Sequence, residues 1–207
     1  RNLQFDGLQA YAGHVMHAKG HEDRKQKSIE SLTRCLETRH LLEREGFEVG
    51  VFTGGGTGTF DIDSGIKGVT DLQVGSYLFM DVQYRAIGDL DSDIFDAFKP
   101  SLFVLATAIS QPVGDRITVD AGYKAFANER NSKPEFRTLK GLKYYYGGDE
   151  HGIVTFTTDA RPLQVGDKAQ LIISHCDPTV NLYDYYHIVQ DNRVKQLWPI
   201  SARGCSQ

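Results

Sequence analysis

A strand, an amphipathic helix and a second strand follow one another across residues 3–52, and that order commits the chain to a parallel α/β start. Residues 3–11 cluster apolar groups as a buried strand does and end in the polar turn Tyr11-Ala12-Gly13-His14. From His21 the chain is highly charged, yet Ile29, Leu32, Cys35, Leu36 and Leu42 recur at helical spacing, and Gly46 supplies a stop. Cys35 lies on the apolar stripe and is read as core. Phe47 to Phe52 forms the second short strand. Two parallel strands need a crossover of this length, so the pattern is the unit of a parallel sheet. The chain opens at Arg1, without methionine, almost directly on its first strand. It is therefore expected to start inside a fold, with residues upstream.

The second strand runs into Thr53-Gly54-Gly55-Gly56-Thr57-Gly58-Thr59. Glycines straight after a strand let backbone N–H groups approach an anion, and threonine hydroxyls add donors. The same glycines serve purely conformational ends elsewhere, and the spacing is neither that of a P-loop nor of the dinucleotide fingerprint. A third strand is expected over Asp71–Asp81, interrupted by Gly75 and Ser76. A glycine inside a strand marks either a close backbone approach, here to the same anion, or a bulge.

Near residue 100 the texture changes to short strands and turns. Strands are expected over Ser101–Ser110, Asp115–Val119, Lys140–Tyr146, Ile153–Thr158 and Lys168–Ser174, with a closing pair around the turn at Asp191-Asn192. This is the pattern of an antiparallel β domain, and the boundary is placed in the polar, acidic stretch before it, giving domains 1–90 and 91–207. Tyr144, Tyr145 and Tyr146 are read as packing on a sheet face or an interface.

The last of these strands leads into Ser174-His175-Cys176-Asp177-Pro178. If the strand continues to Pro178, alternation puts His175 and Asp177 on one face and Cys176 on the other. An imidazole and a carboxylate so placed can share a divalent ion, and a two-ligand site leaves positions for water or substrate. The competing reading is a strand end whose polar residues cap a turn.

Formal net charge is -4 with no basic run, which argues against a dedicated nucleic-acid binder. No apolar segment approaches bilayer length and no secretory signal opens the chain, so no membrane partner is expected and the reading is cytoplasmic. Three widely spaced cysteines make no disulfide framework and fit a reducing compartment.

Seven stretches in order resemble the D-threonine aldolase and D-serine dehydratase family. They are Gly7-Leu8-Gln9-Ala10-Tyr11-x-Gly13, the Thr53–Thr59 loop, Gln73-Val74-Gly75-Ser76-Tyr77, and Val119-Asp120-Ala121-Gly122. Asp149-Glu150-His151-Gly152, His175 to Leu182, and Trp198-Pro199-Ile200-x-Ala202-Arg203-Gly204 complete them. The resemblance implies pyridoxal 5'-phosphate enzymes of the alanine-racemase fold type. This chain would hold the last strands and helices of the (β/α)8 barrel, followed by a mainly antiparallel β C-terminal domain. It implies cofactor contacts at Tyr11, Gly55, Gly56, Thr57, Gly75, Ser76 and Tyr77, and a divalent metal, manganese, magnesium or zinc, on His175 and Asp177. Aspartate in place of a cysteine ligand favours the harder ions. The Schiff-base lysine is expected upstream of Arg1, since no lysine here matches its position.

The reaction implied is lysis of a 3-hydroxy D-amino acid, a small-molecule substrate, with the metal on the 3-hydroxyl oxygen. Cleaving Cα–Cβ gives glycine and an aldehyde; losing the Cα proton and the hydroxyl gives a 2-oxo acid and ammonia. His17 is a candidate general base, or else a surface histidine at a helix start. His151 is a candidate for reaching a neighbouring subunit's site in the homodimer this fold implies, or a plain turn residue. The alternative is a catalytically incomplete fragment or partner subunit that lacks the Schiff-base lysine.

Overall fold

The computed structural model describes residues 2–129, 132–156 and 163–205, of which the side chain of residue 113 is left aside. Two compact units emerge, Arg1–Leu78 with Gln83–Lys99, and Phe79–Val82 with Pro100–Gln207.

The first unit is built on a three-stranded parallel sheet in the order β1 (Gly7–Ala10), β2 (Val51–Gly54), β3 (Asp71–Leu72). The expected strand–helix–strand unit is present, with shorter strands than the apolar runs suggested. β1 and β2 share only the ladder from Gly7 opposite Val51 to Ala10 opposite Gly54, and residues outside it have no partner strand. Between them runs α1 (His21–Arg44), 24 residues long, which stops just before Gly46. Its buried face is His21, Arg24, Ser28 and Leu32, whereas Ile29 is exposed and Cys35 only partly covered. The apolar stripe expected to face the core is therefore replaced in the first turns by polar groups with specific partners. The short helix α2 (Phe60–Asp63) closes the loop after β2.

The expected strand over 71–81 is corrected. β3 is two residues long, pairing Asp71 with Thr53 and Leu72 with Gly54, and its ladder ends where β2 turns into the glycine loop. With no partner beyond that point, the chain forms a 3-10 turn over Ser76–Leu78 and then helix α3 (Val82–Arg85).

The second unit carries the expected antiparallel architecture. A six-stranded sheet has the order β6 (Glu135–Phe136), β9 (Lys168–Ile172), β4 (Phe103–Val113), β5 (Arg116–Val119), β8 (Gly152–Phe156), β7 (Leu142–Tyr146). Ala106 and Ala108, Ile117 and Val119, Tyr144, Val154, and Ala169 and Leu171 point to one face and form its core, while Leu105 and Ile109 point away. Residues 157 and 158, the end of one expected strand, lie outside the described residues. Tyr144 is core, its hydroxyl donating to the Ala121 carbonyl at 2.7 Å. Tyr146 stacks on Tyr123 with centroids 4.3 Å apart, and Tyr145 lies under Lys133. His151 sits in the exposed turn between β7 and β8, its carbonyl accepting from the Gly147 N–H at 2.9 Å. A separate hairpin pairs β10 (Tyr185–Gln190) with β11 (Arg193–Pro199) around Asp191 and Asn192, both at positive φ.

One local expectation fails in an instructive way. β9 ends at Ile172, and the His175-Cys176-Asp177 stretch is not a strand. His175 is the extended N-cap (φ −145°, ψ 128°) of a helix, α4 (Cys176–Val180). Pro178 does not stop a strand; it occupies the first helical turn, where its missing N–H would have had no intrahelical partner anyway. No helix among the described residues is long and apolar enough to cross a membrane.

Candidate functional site

In the first unit the parallel pairing brings Ala10, Gly54 and Leu72 to one edge of the sheet, the carboxyl ends of its strands. Tyr11, the Gly55–Thr59 loop and the Gly75–Tyr77 segment are what follow those strands. Loops at this edge are where α/β barrels build their sites, because successive strands deliver them side by side. All seven residues named for cofactor binding thus belong to three neighbouring loops.

The glycines are dictated by close packing. Gly55 has φ +67°, and a Cβ there would fall 2.4 Å from Oδ2 of Asp63. At Gly56 a Cβ would fall 2.7 Å from Sδ of Met16 and 3.1 Å from the Tyr11 ring, so Tyr11 stands directly beside the loop. Thr57 is 1% exposed, and its Oγ1 accepts the Tyr77 backbone N–H at 3.1 Å. That bond ties the glycine loop to the Ser76–Leu78 turn and leaves the threonine proton to donate elsewhere. Ser76 is buried, while Gly75 is exposed, with open space where a Cβ would stand. Backbone amides, three hydroxyls (Thr57, Ser76, Tyr77) and an uncrowded glycine form a donor set suited to a phosphate.

His17 lies half-buried in the turn that carries Met16, its ring 4.6 Å from that of Tyr84. It approaches the loop through its neighbour in the chain, and its imidazole packs on an aromatic face.

Arg24, Ser28 and Asp63, beneath the loop, escaped the sequence reading. Asp63 is fully buried and accepts hydrogen bonds from the hydroxyls of Thr59 and Ser28, the latter at 2.5 Å. Burial raises its carboxyl above the ordinary range, and nearby Asp61 adds to this; the two hydroxyls pull the other way. Arg24 is fully buried and donates to four main-chain carbonyls, one of them Gly58 in the loop. Helical spacing of polar residues is the usual mark of a solvated face, so nothing in the sequence distinguished these.

In the second unit, His175 and Asp177, the expected metal pair, are brought together by a turn. The Ser174 hydroxyl donates to the Ala127 carbonyl, and the Ala127 N–H donates to Oγ1 of Thr179 at 3.1 Å. This clamps residues 127–129 along the start of α4 and brings Oε2 of Glu129 to 2.7 Å from Nδ1 of His175. A carboxylate can only accept, so it fixes the proton on Nδ1 and turns the Nε2 lone pair toward Asp177. Nε2 of His175 and Oδ2 of Asp177 are 3.8 Å apart. Two acceptors at that separation are within the span a divalent ion bridges with bonds of about 2.0–2.2 Å. Among the described residues no group of three or more histidine, cysteine or acidic side chains is arranged to hold a metal, so the candidate is a pair. Cys176 is fully buried in the sheet's core, its N–H donating to Asp81 at 2.9 Å and its thiol to Oδ1 of Asp177 at 3.2 Å. The strand argument had Cys176 facing away from Asp177. At the helix N-terminus one is buried in the core and the other exposed, yet the thiol still reaches the carboxylate.

Residues 101–189 match the family described as "Putative serine dehydratase domain". D-threonine aldolase of Arthrobacter sp is 40% identical over 205 residues, 99% of this chain and 53% of that protein. 3-hydroxy-D-aspartate aldolase of Paracoccus denitrificans (strain Pd 1222) is 37% identical, over 98% of this chain and 52% of its own. The crystal structure of D-threonine aldolase from Filomicrobium marinum superposes with a TM-score of 0.92 at 31% identity, covering 99% of this chain and 55% of that one.

A parallel sheet with loops at its carboxyl edge, followed by an antiparallel β unit, is thus the C-terminal part of an alanine-racemase type of fold. The resemblance to the D-threonine aldolase and D-serine dehydratase family is borne out over nearly the whole of this chain. It spans about half the length of the curated relatives it matches.

Proposed function

We propose that this chain contributes the cofactor-phosphate loops and the metal-ligand pair of a lyase acting on 3-hydroxy D-amino acids, dependent on pyridoxal 5'-phosphate and a divalent metal. Residues 1–90 would be the closing part of the barrel and residues 91–207 the β domain with the metal site. The observation that carries the reading is the meeting of Tyr11, Gly55–Thr57 and Ser76–Tyr77 at the carboxyl edge of one parallel sheet. Relatives of this chain are a D-threonine aldolase and a 3-hydroxy-D-aspartate aldolase, which supports a D-amino acid substrate.

Each residue then has a task. Loop amides of Gly55 and Gly56 and the Thr57, Ser76 and Tyr77 groups hold the phosphate; Tyr11 flanks the ring. Pyridoxal phosphate, when bound, supplies the electron sink for the carbanion that either bond cleavage leaves behind. His175 and Asp177 hold the metal, manganese, magnesium or zinc, and Glu129 keeps the His175 ring in the tautomer that can ligate it. A metal on this pair would grip the substrate's 3-hydroxyl, lowering the cost of removing its proton or of its leaving as hydroxide. His17 is assigned the role of general base, accepting a proton at its imidazole. A homodimer is the expected assembly.

The test is a product assay of the full-length protein with D-threonine and D-threo-3-hydroxyaspartate. Glycine plus an aldehyde identifies an aldolase; a 2-oxo acid plus ammonia identifies a dehydratase. Neither product, with cofactor and each of the three metals supplied, would refute the proposal.

A further inference from the structure

Arg24 is a long cationic side chain with no solvent exposure, and carboxylates are not what receive it. Its Nε donates to the Gly58 carbonyl at 2.7 Å, Nη1 to those of Ala18 and Ile87 at 3.0 and 3.1 Å, and Nη2 to that of Gly88 at 3.0 Å. Three chain segments, the turn before α1, the glycine loop and the stretch after α3, are gathered on one guanidinium. Asp61 and Asp89 are near enough to influence its charge, but Asp61 is engaged by His21 at 2.8 Å and Asp89 by the Leu90 N–H at 2.8 Å. A buried cation received by neutral carbonyls and the face of Phe95, 5.8 Å from the ring centroid, gains from any anion that helps to balance it. The carbonyl of Gly58 turns inward to meet it, which keeps that oxygen from facing an anion bound on the loop.

We infer that Arg24 is a positioning residue for the cofactor phosphate: it holds the glycine loop in its anion-accepting shape from behind and lends it a fixed positive charge, without touching the ligand. The inference rests on the phosphate-loop reading above. Lysine cannot replace it in full, because one ammonium with three donors cannot reach four carbonyls spread over a planar fork.

The experiment compares the Kd of pyridoxal 5'-phosphate and of phosphate-free pyridoxal in the full-length protein for wild type, Arg24→Lys and Arg24→Met. Cofactor binding is read by absorbance, with a thermal melt as the folding control. Arg24→Met is expected to weaken the phosphorylated form by about tenfold or more, the scale of a lost charge-assisted contact, and pyridoxal by less than about twofold. Arg24→Lys should fall between, since it keeps the charge and loses the geometry. Equal loss for both ligands, or no loss, would overturn the inference and leave Arg24 a purely structural residue. Should Arg24→Met fail to fold, the same split in Arg24→Lys decides. A wild type that does not prefer the phosphorylated form would refute the phosphate-loop reading itself, an outcome separate from the behaviour of the variants.

Discussion

Nδ1 of His175 lies 2.7 Å from Oε2 of Glu129, a residue 46 positions earlier, and this contact decides which nitrogen of His175 can serve a metal. Replacing Glu129 with glutamine keeps the size but offers the ring either an acceptor or a donor. Metal affinity, followed by calorimetric titration, should fall about 10–100-fold, the range for outer-sphere partners of ligating histidines. Unchanged affinity would remove Glu129 from the site.

Asp177 and Cys176 are neighbours with opposite fates, one exposed and one fully buried. Asp177→Ala should abolish metal binding and lyase activity and leave the melting temperature nearly unchanged. Cys176→Ala should do the reverse, costing on the order of 1 kcal/mol of stability through lost packing while the metal is retained. Loss of the metal in Cys176→Ala would transfer the ligand role to the thiol.

Thr57→Val retains shape and removes the acceptor for the Tyr77 N–H. Losing the partner of this part-buried N–H should cost about 0.5–1.5 kcal/mol in denaturant unfolding. Cofactor affinity should drop with it, because the two loops lose the tie through that hydroxyl, whereas metal titration should be unaffected.

Asp63 makes stability depend on pH in a set direction. Burial raises its carboxyl above the unfolded value, so its neutral form favours the fold. That contribution is complete below the unfolded carboxylate pKa of about 3.9 and is lost as pH rises through the elevated folded value. Asp63→Asn removes the titration. The melting temperature of the variant relative to wild type should therefore climb as pH rises above about 4. A difference that stays flat, or falls, would show that Asp63 remains ionised in the fold without penalty.

Local patterning was enough for the order of elements. Apolar clustering, helical spacing up to Gly46, a glycine loop after a strand and the change to short alternating strands each depend on nearby residues, and the parallel start and antiparallel finish follow from them. Tertiary pairing decided the rest. The apolar run over 71–81 reads as one strand, yet a strand lasts only as long as its partner, and β2 ends at Gly54. Ser174 to Asp177 reads as a strand end, yet the Ala127 N–H donates to Thr179 and Asp81 accepts from the Cys176 N–H, and these partners, distant in sequence, hold a helix there. Glu129 meets His175 only because that turn is clamped. Arg24 and Asp63 look like surface charges until three segments close over them; a charge can be buried only where the fold supplies carbonyls or hydroxyls to receive it, and those partners are set by contacts across the chain.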